Sequence, residues 1–120
     1  MDKMELLCPI RYSLEIVGGK WKLPIICLLA GDTPVRYGAL KKKLNNITNM
    51  MLAQSLKELE ADVMVIRRQY NEVPPRVEYS LTDEAKKLIQ LLQLFAGWGI
   101  EQIGRNSAGK TYCGECQSDC

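Results

Sequence analysis

The stretch GALKKKLNNITNMMLAQSLKELEAD, residues 38–62, decides the fold. At helical spacing it divides into two short helices. The first carries Leu40 and Leu44 on one face. The second carries Leu52, Leu56 and Leu59, spaced four and three apart, which is the apolar stripe of an amphipathic helix. Asn45, Asn46 and Ile47 leave room between them only for a tight corner. Thr48 suits the N-cap of the second helix, because its hydroxyl can accept an otherwise unpaired backbone N–H. With the leucines turned inward, Asn49, Met50, Ala53, Gln54 and Lys57 face out. Amides, a small residue and a cation are what a helix needs to meet base edges and phosphates in a major groove. From residue 35 to residue 57 there is no acidic side chain, but there are five basic ones, Arg36, Lys41, Lys42, Lys43 and Lys57. The expectation is a helix-turn-helix. A plain helical pair with a solvated lysine face shares much of this pattern, and the flanking sequence separates the two readings.

Downstream the apolar period changes from that of a helix to that of a strand. Val77, Tyr79 and Leu81 alternate with Arg76, Glu78 and Ser80, which predicts a half-buried strand with Val65 to Tyr70 as its partner. Asn71-Glu72-Val73-Pro74-Pro75 is the loop between them, stiffened by two prolines. Arg67, Arg68 and Arg76 flank it. A basic hairpin directly after a helix-turn-helix is the wing of a winged helix, which reaches backbone or minor groove while the helix reads the major groove. Thr82 caps a final helix expected to run to about Ile103, with Asp83 and Glu84 at its positive end. Leu88, Leu91, Phe95 and Trp98 mark one of its faces; Ile89, Leu92, Ala96 and Ile103 mark another. Burial of both faces within one monomer is the rival, which a domain this small can hardly manage, so the second face predicts a second copy of the chain and a two-fold homodimer. Gly97 and Gly99 weaken this helix and invite a bend.

Upstream, Pro9 opens a helix to about Val17, ended by Gly18-Gly19. Lys20 to Ala30 reads as a buried helix that tolerates Pro24 only near its start. Val35-Arg36-Tyr37 is short and β-prone. The fold class that follows is mainly α with a small β-hairpin: a winged helix-turn-helix with a three-helix core plus wing, and with N- and C-terminal dimerisation helices. Residues 1–103 form this unit, and residues 104–120 form a polar, cysteine-containing tail expected to be disordered.

The bulk numbers agree. A chain of 120 residues with 47% hydrophobic and 25% charged residues suits one globular domain. The net charge of +2 says less about a polyanionic partner than the local basic block does. No histidine is present, which removes the commonest general base and metal ligand. No phosphate-cradling loop or nucleophile motif occurs, so neither an enzyme nor a cofactor is expected. No run approaches a membrane span, and MDKMELLC lacks the form of a secretory signal, so a cytoplasmic protein with no membrane partner is expected.

In this order of elements the chain resembles the HxlR-type winged-helix regulators of bacteria, relatives of the MarR group. The residues that carry the resemblance are Cys8-Pro9, Gly18-Gly19-Lys20-Trp21-Lys22, Arg36-Tyr37, Leu52, Leu56 and Leu59-Glu60. To these is added the specific run Glu72-Val73-Pro74-Pro75-Arg76-Val77-Glu78-Tyr79-Ser80-Leu81-Thr82. The resemblance implies a dimeric DNA-binding transcription factor acting on double-stranded DNA through helix 48–62 and the hairpin; the expectation adopted beside it is a sequence-specific regulator, a repressor rather than an activator. Thr48, Asn49, Met50, Gln54 and Lys57 are expected at bases or adjacent phosphates, and Lys41, Lys42, Arg67, Arg68 and Arg76 at the backbone. Two departures stand out. The recognition helix lacks a basic residue near Met50 and a threonine near Ala53, and Val63 stands where a glycine is usual, so the helix exit is expected to be shaped differently.

Among the five cysteines, Cys27 falls in an apolar helix. Cys8 lies at a helix N-terminus, whose dipole favours thiolate, with Lys3 and Arg11 close in sequence. The resemblance implies a sensor role for it toward oxidants or electrophiles, read out as a change in DNA affinity. Cys113, Cys116 and Cys120 contain one CxxC, a weak signal for metal, and free thiols are the expectation. Two rivals remain at this level: a winged-helix module that binds protein instead of DNA, and a thiol oxidoreductase using Cys113 and Cys116. The operator and any small-molecule effector are not legible.

Overall fold

A computed structural model describes residues 8–106. Among these residues six helices and three strands follow one another as α1 (Pro9–Val17), α2 (Lys22–Leu28), β1 (Val35–Arg36), α3 (Tyr37–Lys43), α4 (Asn49–Ala61), β2 (Val65–Tyr70), β3 (Arg76–Leu81), α5 (Asp83–Lys86) and α6 (Ile89–Asn106). The strands form one antiparallel sheet in the order β1-β3-β2. β2 and β3 pair from Val65↔Leu81 to Tyr70↔Arg76, and β1 adds Val35↔Tyr79 and Arg36↔Glu78 on the other edge. The hairpin that the alternation predicted is therefore the wing, closed at its base by a third short strand.

The leucine stripe makes the core. Leu52, Leu56 and Leu59 of α4 are buried together with Leu40 and Leu44, Ile25, Ile26 and Leu29, and they meet Val65, Tyr79 and Leu81 from the sheet. Full burial of each such side chain stabilises by roughly 1.5–3 kcal/mol. Ile47, in the corner after α3, is buried with them, and Asn46 takes φ 75° to turn the chain there. Asparagine is among the few residues that enter the left-handed region at small cost.

Two helices differ from their predicted bounds. α2 starts at Lys22 instead of Lys20, because Pro24 would drive its ring into the carbonyl four residues back if Lys20 were already helical. The proline sits in the first turn, where its missing N–H has no intrahelical use. Ahead of it, Gly18 closes α1 with its N–H on the Leu14 carbonyl at 2.7 Å, and a Cβ at this position would lie 2.2 Å from that oxygen. Gly19 then takes φ +108°, so each of the two glycines is required for its own reason.

The single terminal helix predicted from Thr82 is two. At Lys87 and Leu88 the chain tightens, and Leu88 N–H reaches the Ala85 carbonyl three residues back at 3.0 Å. No proline or glycine lies there. Ala85 is fully buried against the sheet, so α5 is held in the domain, and α6 starts afresh at Ile89. α6 continues unbroken through Gly97 and Gly99 to Asn106, past the predicted end at Ile103. Of its apolar residues Leu92 is buried in the core, whereas Leu91, Leu94, Phe95 and Trp98 are exposed. The tail cysteines Cys113, Cys116 and Cys120, and Lys3 near Cys8, lie outside the described residues. No helix among the described residues is long and apolar enough to cross a membrane.

The exit of α4 does not differ in shape from what a glycine would give. Val63 N–H bonds to the Glu60 carbonyl at 3.0 Å, and Met64 N–H to the Leu59 carbonyl at 2.8 Å. This is the Schellman pairing that ends helices on a left-handed residue. Val63 adopts φ 60° to make it. The geometry is retained and a β-branched side chain is forced into it.

Candidate nucleic-acid interface

Among the described residues nothing covers the outer face of α4. Thr48 caps it, accepting the Met51 N–H at 3.1 Å, and keeps a hydroxyl proton to donate outward. Asn49, Met50, Ala53, Gln54 and Lys57 are all exposed, Met50 to 81%. No acidic residue lies in the first turn, so the partial positive charge of the helix N-terminus is not offset by this helix. Tyr37, the first residue of α3, donates its hydroxyl to the Asn49 carbonyl at 3.2 Å and to Asn49 Oδ1 at 3.4 Å. That link locks the two helices of the pair at the reading end and leaves the Asn49 amide NH2 turned elsewhere. Burial, with Tyr79 nearby, pushes the Tyr37 phenol above its ordinary pKa, so it stays a donor.

Further along α4 a polar chain runs sideways. Gln54 Nε2 donates to Glu58 Oε2 at 2.6 Å, and Lys22 Nζ meets Glu58 Oε1 at 2.8 Å. The Gln54 bond, followed by the Lys22 bond and charge, holds the Glu58 carboxyl below its usual range.

The wing stands beside α4, and an open cleft of about 660 Å³ separates them, lined by Arg36, Tyr37, Ala53, Arg67, Val73 and Pro74 among others. Arg67 reaches along its own strand to Gln69 Oε1 at 3.1 Å. Arg68 is exposed and makes no hydrogen bond or ion pair among the described residues. Arg76 is engaged within the hairpin: its Nε lies 3.1 Å from Glu72, its Nη1 3.6 Å from Glu78, and its guanidinium stacks 4.0 Å from the Tyr70 ring. Val73 and Pro74, joined by a cis peptide bond, form the tip. At the end of α3, Lys41 is half-buried and Lys42 exposed on the same side chain block as Lys43. The sequence-predicted residues thus gather along α4, the end of α3 and the hairpin. Cys8 is separate from them, at the exposed N-cap of α1.

Four participants were not given a role at the site from sequence. Tyr37 and Arg36 were visible as a motif but not as groups that hold and line the cleft. Glu58 and Lys22 gave no local signal, because they stand 36 residues apart and meet only in the fold.

A buried three-helix core, a corner of three residues before an exposed polar helix, and a basic hairpin beside it define a winged helix-turn-helix protein of the DNA-binding regulator class. The sequence profile of the HxlR-like helix-turn-helix family matches residues 16–107, and the chain belongs to that family. It is 50% identical over 93 residues to an HTH-type transcriptional regulator of Halalkalibacterium halodurans, covering 78% of this chain and 82% of that one. The crystal structure of the HTH-type regulator YtcD, a Bacillus subtilis protein, superposes with a TM-score of 0.76 at 40% identity, over 82% of this chain and 100% of that one. The redox regulator HypR in its oxidised form superposes with a TM-score of 0.72 at 37% identity, over 78% and 96%. These are transcription regulators and not enzymes; the thiol oxidoreductase reading is set aside.

Proposed function

We propose that this transcription regulator is a cytoplasmic homodimeric repressor that binds a pseudo-palindromic operator with one α4 in each of two major grooves. Thr48, Asn49, Met50, Gln54 and Lys57 meet bases or adjacent phosphates, Met50 through thymine methyl groups. Lys41, Lys42, Arg67 and Arg68 hold the backbone, and Arg76 adds its charge to the wing while bracing it. The observation that carries this reading is the outer face of α4, polar, free of acid in its first turn and left exposed among the described residues.

Dimerisation is supported by the apolar surface that α1 and α6 leave open. Ile10, Leu14, Leu91, Leu94, Phe95 and Trp98 line one cleft of about 620 Å³, and Phe95 stacks on Trp98 with centroids 6.4 Å apart. A monomer rarely leaves so continuous an apolar patch in water. Cys8 is assigned as a sensor of oxidants or electrophiles. It is exposed at the start of α1, beside the Pro9 and Ile10 that border this surface, so a change at its sulfur would reach the contact between copies.

A gel shift with the region upstream of its own gene tests the reading. Retarded complexes that survive an excess of random duplex at moderate salt are expected, and transcription from the bound promoter should rise when the protein is deleted. No shift even at low salt would favour a protein-binding winged helix instead.

A further inference from the structure

Gln54 is the amide best placed on α4 to read a base, and the structure fixes which way round it stands. An ionised carboxylate has only acceptors. The 2.6 Å contact to Glu58 Oε2 therefore requires Gln54 Nε2, because a flipped amide would set two acceptors against each other. One N–H is consumed there. What remains is Oε1 and the second N–H, an acceptor beside a donor. Adenine shows the complementary pair in the major groove, the N6 amino donor beside the N7 acceptor. Guanine shows two acceptors, N7 and O6, and leaves Oε1 facing a like group. The Glu58 carboxylate beside the reader adds a further acceptor that disfavours guanine.

Glu58 needs a reason to hold this position on a helix aimed at a polyanion, and Lys22 supplies it. Its ammonium sits 2.8 Å from Glu58 Oε1, and a weaker bond of 3.5 Å to the Ile16 carbonyl ties it to α1. The Lys22 side chain is only 12% exposed and the Glu58 side chain 46%, so the cation is set in the domain and the carboxylate reaches outward from it. The depressed Glu58 carboxyl keeps it an acceptor throughout the neutral range. We propose that Lys22 and Glu58 are positioning residues for base recognition: Lys22 anchors Glu58, Glu58 fixes the Gln54 amide, and the fixed amide selects adenine over guanine at one position of each half-site. This rests on the DNA-binding reading above and assigns specificity to a lysine outside the helix-turn-helix.

The test uses the full chain and a set of operator duplexes carrying each base at every position. Wild type is expected to prefer adenine over guanine by about tenfold at one position per half-site, the scale of one good bidentate contact. Gln54→Ala should abolish that preference. Glu58→Ala and Lys22→Met should each reduce it at the same position, by about threefold or more, with preferences elsewhere retained. Glu58→Ala should at the same time bind random duplex more tightly, since a carboxylate leaves the neighbourhood of phosphate. Damage to the fold would weaken that binding instead. The proposal is overturned if Gln54→Ala removes the preference while both other variants keep it, if guanine is preferred there, or if all positions flatten together. Wild type with no base preference anywhere overturns the regulator reading itself, and this inference with it.

Discussion

Replacing Val63 by glycine should stabilise the protein, although it removes an apolar side chain. Val63 holds φ 60°, a region in which the Cβ of an L-residue crowds the backbone and a β-branched one crowds it most. A non-glycine residue held there costs of the order of 1–3 kcal/mol, and valine belongs toward the upper part of that range, about 2–2.5. Against this stand two losses. Glycine gives up roughly 0.5–1 kcal/mol more conformational freedom on folding. Val63 is 63% exposed. Its lost burial is therefore about a third of a full valine, roughly 0.5 kcal/mol. The balance favours Val63→Gly by about 1 kcal/mol, which is a rise in Tm of about 4–8 °C for a domain of this size. Thermal melts at one fixed protein concentration measure it, because association would otherwise move Tm. Val63→Ala keeps the Cβ penalty and should stay within about 0.5 kcal/mol of wild type. Operator affinity should not change in either variant, because the Schellman pairing that joins α4 to β2 is already formed with valine. A Val63→Gly protein that melts at or below wild type, or an alanine variant that gains as much as glycine, would refute the strain argument.

Further outcomes follow from the same geometry. Thr82→Val should destabilise by about 1–2 kcal/mol, since the Thr82 hydroxyl donates to the Val63 carbonyl at 2.7 Å and accepts the Ala85 N–H at 3.2 Å, and a denaturant titration reads the shift. Arg68→Ala should weaken operator and random DNA alike and reduce the slope of log K against log salt by about one phosphate's worth. Arg76→Ala should alter that slope less and lower the stability of the hairpin instead, visible as faster amide exchange in β2 and β3, because Glu72, Glu78 and Tyr70 already hold its charge. Leu94→Glu should leave the fold intact, Leu94 being 74% exposed, and convert the proposed dimer to monomer in sedimentation; a dimer that persists would place the contact elsewhere.

The parts of the fold that were legible are those set by local chemistry. Thr48 and Thr82 announced both caps, the leucines of α4 announced its inner face, and the alternation from Val77 to Leu81 announced β3. These signals depend on neighbours within four residues, and a sequence prints them directly. The break between α5 and α6 was not legible, because residues 86–89 favour helix and the turn there is imposed by Ala85 seated on the sheet. The start of α2 was readable in principle from Pro24 and the carbonyl it forbids. At the candidate site, the outward residues of α4 could be named, but their orientation could not. Gln54 looks like a free amide until Glu58 and Lys22 are seen beside it, and Arg76 looks like a free cation until the hairpin curls Glu72 and Glu78 around it. Side-chain pairing across elements is decided by packing, and periodicity does not encode it.

The most direct test of α4 as the reading element is methylation interference on the bound operator, combined with hydroxyl-radical protection of its backbone. Interference by purine N7 methylation is expected in two major-groove patches on one side of the duplex, about 10 base pairs or a multiple of that apart, each flanked by backbone protected by the wing. Backbone protection with no major-groove interference, or a single unpaired patch, would contradict it.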